Sequence, residues 1–156
     1  MEGTRPILIE LKALVTPTNF GMPRRTTVGV DYNRVSMLMA VMEKRAGLHL
    51  GNCDVFINIV GGMRIDEPAI DLGIAAAIAS SLREAAVDSA AILFGEIGLG
   101  GEIRGVSQAE QRVKEASKLG FKRCILPQRN AERLESIGAM EIVGVANVTD
   151  VMRALF

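Results

Sequence analysis

Side chains able to do covalent chemistry are few and scattered in this sequence. There is one histidine, His49, and two cysteines, Cys53 and Cys124. A structural zinc site needs four nitrogen or sulfur ligands brought together, and no CxxC pair or second histidine supplies them. A Ser-His-Asp triad would have to use His49, which follows an expected helix end. The cysteines are far apart and read as two buried apolar thiols of a reducing cytosol. Ser80 and Ser81 with Lys114 are the residual candidates for a hydroxyl nucleophile and its amine base. No P-loop, HExxH, EF-hand loop or GxSxG is present. Gly98-Leu99-Gly100-Gly101 lacks the spacing of a dinucleotide fingerprint and opens no helix, so it reads as turn chemistry.

Charge offers more than nucleophiles do. Over 156 residues, 18 Lys plus Arg balance 18 Asp plus Glu. Zero net charge argues against wholesale polyanion binding and permits self-association. The signs are segregated. Residues 54–103 carry two basic and eight acidic side chains, and residues 103–133 carry eight basic and three acidic. Solvated helix faces would explain this, as would a basic surface facing nucleic acid or an acidic face meeting a basic one between subunits. Arg104, Arg112 and Lys114 are the candidates for such an interface. Arg24 and Arg25 follow Pro23 in a Gly/Pro loop, Arg34 opens a helix, and Lys44 with Arg45 closes it. These five could engage phosphates without reading bases, or make subunit salt bridges instead. One Tyr, five Phe and no Trp leave little for base stacking.

The elements that must position these groups follow from apolar periodicity. Ile7–Val15, Thr26–Val30, Val55–Val60, Ala91–Phe94, Arg123–Leu126 and Glu141–Val145 read as strands, the early ones hairpin-like. Residues 16–25 read as a loop. Asn33 is the expected cap of a helix ended by Gly47. Asp66-Glu67-Pro68 opens a helix through Leu82, small and apolar enough to be the most buried of the fold. Gly95–Gly105 holds five glycines and reads as a hairpin. Helices are expected over Ala109–Gly120, with Val113, Ala116 and Ser117 inward, over Asn130–Ser136 and over Val148–Phe156. The result is an α+β, or mixed α/β, single domain over 1–156. No run approaches a membrane span. The first residues carry no signal peptide and read like a cut inside a longer protein.

Four motifs then occur in order: Val60-Gly61-Gly62-Met63-Arg64, Asp66-Glu67-Pro68-Ala69-Ile70-Asp71-Leu72-Gly73, Gly95 through Arg104, and Gly120 through Pro127. Together they resemble the Lon-type protease domain. Glu2 through Pro6, Pro23-Arg24-Arg25 and Asn33-Arg34 narrow the resemblance to the C-terminal domain of the RadA (Sms) family of bacterial DNA repair proteins. The resemblance implies a Lon-like variant of the ribosomal protein S5 domain 2 fold and a hexameric ring. It further implies a cytoplasmic parent with a zinc finger and a RecA-like ATPase core. ATP, Mg and Zn would belong to that parent, with no cofactor or metal in this fragment. The implied parent drives branch migration on single-stranded or branched DNA beside a RecA-type recombinase.

Active Lon proteases use a Ser-Lys dyad. Aligned on Gly73, the serine position falls on Asp71; aligned on Pro68, it falls on Ala69. The lysine position falls on Glu110. The resemblance therefore implies a domain without peptidase activity, against the alternative of an ATP-independent Lon-like Ser-Lys peptidase. Ser80 and Ser81 cannot easily rescue the dyad, since they lie about 15 Å of helical rise from Asp71. Asp71 and Glu110 could form a glycosidase-like acid pair, but nothing else suggests a sugar site. The simpler expectation is that Asp71 caps or tunes the helix start and Glu110 pairs with Arg112 or Lys114.

Overall fold

The computed structural model describes residues 1–19 and 21–156. Its first sheet is built on β3 (Cys53–Ile59), where Val55, Ile57 and Ile59 alternate inward and are buried. β1 (Leu11–Pro17) runs antiparallel to β3, from Leu11 opposite Ile59 to Pro17 opposite Cys53. β2 (Arg25–Val28) runs parallel to the other edge of β3, giving the order β1-β3-β2. The early strands are therefore not a hairpin: β3 inserts between them. Residues 7–10, expected in the first strand, stay outside it because Leu11 already pairs with the last residue of β3. Branched side chains favour extension, but a strand needs a partner. The loop expected over 16–25 includes Phe20, which lies outside the described residues.

α1 (Tyr32–Ala46) is capped by Asp31 rather than Asn33. The Asp31 carboxylate accepts from the Arg34 N–H at 3.0 Å, the short-acid chemistry of an N-cap one position before the helix. Gly47 ends α1 at φ 70, in the left-handed region. Pro68–Ile70 forms one turn of 3-10 helix, and α2 (Asp71–Arg83) continues from it. Proline suits such a start because it lacks the N–H that a first turn leaves unpaired. Leu72, Ile74, Ala75, Ala76, Ile78 and Ala79 of α2 are buried. A Cβ at Gly73 would sit 3.0 Å from Leu11 Cδ1, so glycine there lets α2 lie close on β1.

The second sheet is parallel, in the order β4-β7-β8, from Ala91–Leu93, Arg123–Pro127 and Glu141–Val145. Between β4 and β7 come the antiparallel pair β5 (Glu96–Ile97) and β6 (Ile103–Arg104), then α3 (Ala109–Lys118). Val113 of α3 packs with Phe94, Cys124 and Leu126, Ala116 is buried, and Ser117 is half-buried. α4 spans Gln128–Ala131, not 130–136. Pro127 fixes its start, and the Asn130 carboxamide holds the Val106 backbone instead of capping a later helix. α5 (Val148–Leu155) is capped by Asn147, which accepts from the Asp150 N–H at 2.9 Å. Val148, Val151 and Met152 of α5 join α1, α2 and β3 in the main core. The fold is α+β. No helix among the described residues is long and apolar enough to cross a membrane.

Candidate functional site

Of the two positions where the resemblance puts a catalytic serine, Ala69 lies in the 3-10 turn and Asp71 begins α2, with no exposed surface. It does not cap its helix. Arg34 Nε donates to Asp71 Oδ1 at 2.8 Å, and Arg34 Nη2 donates to Oδ2. The backbone N–H of Ile97 also donates to Oδ2, at 3.0 Å. One carboxylate thus ties α1, α2 and β5 together. Hydrogen bonding to Asp71 raises the Arg34 guanidinium above its usual range, against a lowering by burial. The charges continue outward. Arg34 Nη2 lies 3.9 Å from Glu96 Oε1, Glu96 lies 4.0 Å from Arg104 Nη1, and Arg104 Nη2 donates to Glu102 at 3.0 Å. This ladder runs from full burial at Asp71 to solvent at Arg104.

Arg34, expected on a phosphate-facing surface, is thus engaged inside the protein. Arg25 is held similarly: Nη1 donates to the Cys53 carbonyl and Nη2 to that of Leu50, at 3.2 Å. Arg24, Lys44 and Arg45 are exposed. Arg24 is only loosely matched by Asp54, at 3.8 Å. Asp54 itself is held below its ordinary range by the Arg24 backbone N–H, against burial, with help from Thr18. Glu43 accepts from the N–H groups of Leu50 and Gly51, at 3.2 and 3.0 Å. The loop between α1 and β3 is thereby fixed from both sides, by Glu43 and by Arg25.

Arg112, expected at a subunit interface, is also internal. Its side chain is 12% exposed, and Nη2 donates to Glu67. Nε donates to the Ser107 carbonyl at 3.0 Å, and the guanidinium stands 5.7 Å from the Phe94 ring centroid. Burial pushes the Glu67 carboxyl up, while the hydrogen bond and charge of Arg112 pull it down, and the balance lies below its ordinary value. Glu110 pairs with Lys114 at 2.7 Å on the exposed face of α3. With Asp71 closed around Arg34 and Glu110 facing solvent, the two carboxylates do not form an acid pair.

A cleft of about 860 Å³, not legible in the sequence, opens along α2, β4, α3 and the segment leading into β1. Gly73, Ala76, Ala77, Ser80 and Ser81 line its α2 side. Ser81 Oγ accepts from the Val15 N–H at 2.9 Å, and Ser80 Oγ donates to the Ala85 carbonyl at 2.6 Å. Lys114 Nζ is bound to Glu110. Both hydroxyls and the amine have other partners, and no Ser-Lys hydrogen bond joins them. Cys124 is buried, and burial pushes its thiol up to about 12. Cys53 is only half-buried, contrary to expectation, because it begins β3 at the sheet's end.

With this geometry in hand, similarity to known proteins is informative. The chain is 55% identical over 152 residues to a protein of Halalkalibacterium halodurans named DNA repair protein RadA, covering 97% of this chain and 33% of that protein. A Bacillus subtilis protein of the same name is 55% identical over 153 residues, covering 98% and 33%. One from Streptococcus pneumoniae is 48% identical over 156 residues, covering 100% and 37%. The chain spans about a third of the length of these curated relatives. Residues 17–130, from the end of β1 through most of α4, match the family described as subunit ChlI of Mg-chelatase, and the chain belongs to that family.

Proposed function

We propose that this chain is a non-proteolytic, Lon-like scaffold domain of a DNA repair protein of the RadA kind. The observation that carries this reading is the seat of the expected serine. It holds Asp71, enclosed by Arg34 and the Ile97 N–H, in a chain about half identical to proteins named for DNA repair. A carboxylate held by a bidentate guanidinium is a structural clamp, since neither oxygen is free to attack a carbonyl. In this reading the domain is the C-terminal part of a cytoplasmic protein. Its zinc finger and RecA-like core would supply Zn, ATP and Mg chemistry and would work beside a RecA-type recombinase. The domain would stack into a hexameric ring, and Arg104 and Lys114 are its remaining basic interface candidates. Head-to-tail rings join two different patches, which suits segregated charge.

The domain's share of DNA binding would be weak and sequence-independent. It would run through Arg24, Lys44 and Arg45, the exposed members of the five basic candidates. Arg25 and Arg34 would act only as framework. A ring would present several such patches at once and raise the effective concentration. Fluorescence anisotropy with a labelled single strand tests this. We expect weak binding whose salt slope flattens by about 2 in an Arg24→Ala/Lys44→Ala/Arg45→Ala variant, as three phosphate contacts at about 0.7 each predict. Unchanged affinity in a folded variant would overturn the assignment. Peptide hydrolysis abolished by Ser80→Ala or Ser81→Ala would overturn the non-proteolytic reading.

A further inference from the structure

A second cavity, of about 590 Å³, opens where the chain leaves β6 and passes over α4. Arg104, Arg129 and Arg133 line it, with Gly105, Val106 and Asn130 between them. We infer that this cavity is a phosphoryl-oxyanion site, separate from the Arg24, Lys44 and Arg45 surface, and independent of the DNA-binding reading above.

The charge balance points to an anion. Arg129 and Arg133 are exposed, and among the described residues neither is paired with a carboxylate. They stand four apart at α4 and the turn that follows it, a spacing at which like charges are close neighbours and repel. Nearby acids are occupied. Glu132 accepts from Gln128 Nε2 at 3.2 Å. Glu102, which also lines the cavity, is bound to Arg104 at 3.0 Å and folds back against Gly98 and Gly100. Arg129 and Arg133 are therefore left facing a concavity whose one lining carboxylate, Glu102, is bound to Arg104.

The backbone of the cavity is held in place. Asn130 Oδ1 accepts from the Val106 N–H at 2.9 Å, and Nδ2 donates to the Val106 carbonyl at 3.0 Å. This pair of hydrogen bonds fixes the wall after β6 to α4, so the arginines project from a rigid frame. Gly105 adds no side chain to fill the space. Guanidinium forks match the tetrahedral oxygens of phosphate, and Arg129 and Arg133 offer two of them, that of Arg104 being taken by Glu102 and Glu96. A concavity also suits a compact terminal group better than the continuous ridge of a duplex backbone. The phosphoryl group could be free or could end a nucleic-acid strand.

Calorimetric titration of the chain with sodium pyrophosphate at low ionic strength tests the site. We expect saturable binding that weakens at least about tenfold in Arg129→Ala/Arg133→Ala, since each lost charge-assisted contact is of that order. Arg24→Ala/Lys44→Ala should bind pyrophosphate as the unaltered chain does. Because Arg129 and Arg133 carry no internal ion pair, their removal should leave the thermal midpoint in place. No saturable binding, or equal binding by the double variant, overturns the inference. Matched 5′-phosphorylated and 5′-hydroxyl oligonucleotides then identify the source. A preference for the phosphorylated strand that the double variant loses supports a strand end. Pyrophosphate binding without that preference supports a free phosphate.

Discussion

Asp71 and Glu110 occupy the two positions where the resemblance would place a serine and a lysine, and both carry a carboxylate paired with a cation. The difference between them is water. Asp71 is fully buried and takes two hydrogen bonds from Arg34 and one from Ile97. The Glu110 side chain is 60% exposed and meets only Lys114, one turn along the same helix. In the first case, removing one partner strands a charge in low dielectric. In the second, water replaces the partner at little cost. Equivalent ion pairs drawn on paper are therefore different objects: one organises three elements, while the other decorates a surface.

The largest effect that tests this contrast should come from Asp71→Ala. It leaves the Arg34 guanidinium, 28% exposed, with Glu96 at 3.9 Å as its remaining counter-charge and the Ile97 N–H without its acceptor, and we expect a loss of about 3 kcal/mol in urea unfolding. Arg34→Met added to it should recover much of that loss, because the stranded charge goes too. A loss under about 1 kcal/mol from Asp71→Ala alone would show that water reaches the pair and would erase the contrast.

Arg112→Ala should fall between the extremes, at about 2 kcal/mol, through the lost Glu67 pair, the Ser107 hydrogen bond and the contact with Phe94. Its pH dependence has a definite sign. Glu67 is held below its ordinary 4.5 in the folded state, so its contribution is full above 4.5 and disappears as pH falls through the lower folded value. The stability gap between the unaltered chain and Arg112→Ala should therefore narrow below about pH 4.5. A gap independent of pH would assign the whole effect to packing against Phe94.

Lys114→Ala should change stability least, by at most about 0.5 kcal/mol, and the change should vanish in high salt. A loss above about 1 kcal/mol in a monomeric sample would mean that this exposed pair does more than an (i, i+4) contact can.

Local signals predicted much of the scaffold. The alternation of Val55, Ile57 and Ile59 marks β3, and the small apolar run after Pro68 marks α2 as the buried helix. Gly47 and Pro127 mark the ends of α1 and β7, by backbone conformations that neighbouring residues impose. Errors fell where a distant partner decides. Residues 7–10 look like a strand, yet β3 ends opposite Leu11, and beyond it the Val60 N–H reaches only the Glu10 carbonyl, at 2.9 Å. Asn130 looks like the start of a helix over 130–136; it lies instead near the end of α4, where its side chain clamps Val106, 24 residues away. The charged residues were read least well. Arg24, Arg34 and Arg112 are the same in composition, yet one meets solvent and the others are held by Asp71 and Glu67.

Residue types alone establish that the chain carries one histidine and no P-loop, HExxH or GxSxG, and that local periodicity alternates strands with helices. Those conclusions need only neighbours along the chain, whose spacing is set by covalent geometry. Which arginines are free, and where two cavities open, depends on groups such as Arg34 and Asp71 that lie 37 residues apart in sequence. Burial is set by what packs across such gaps, and burial decides whether a charge pair is a clamp, a surface contact or an open site.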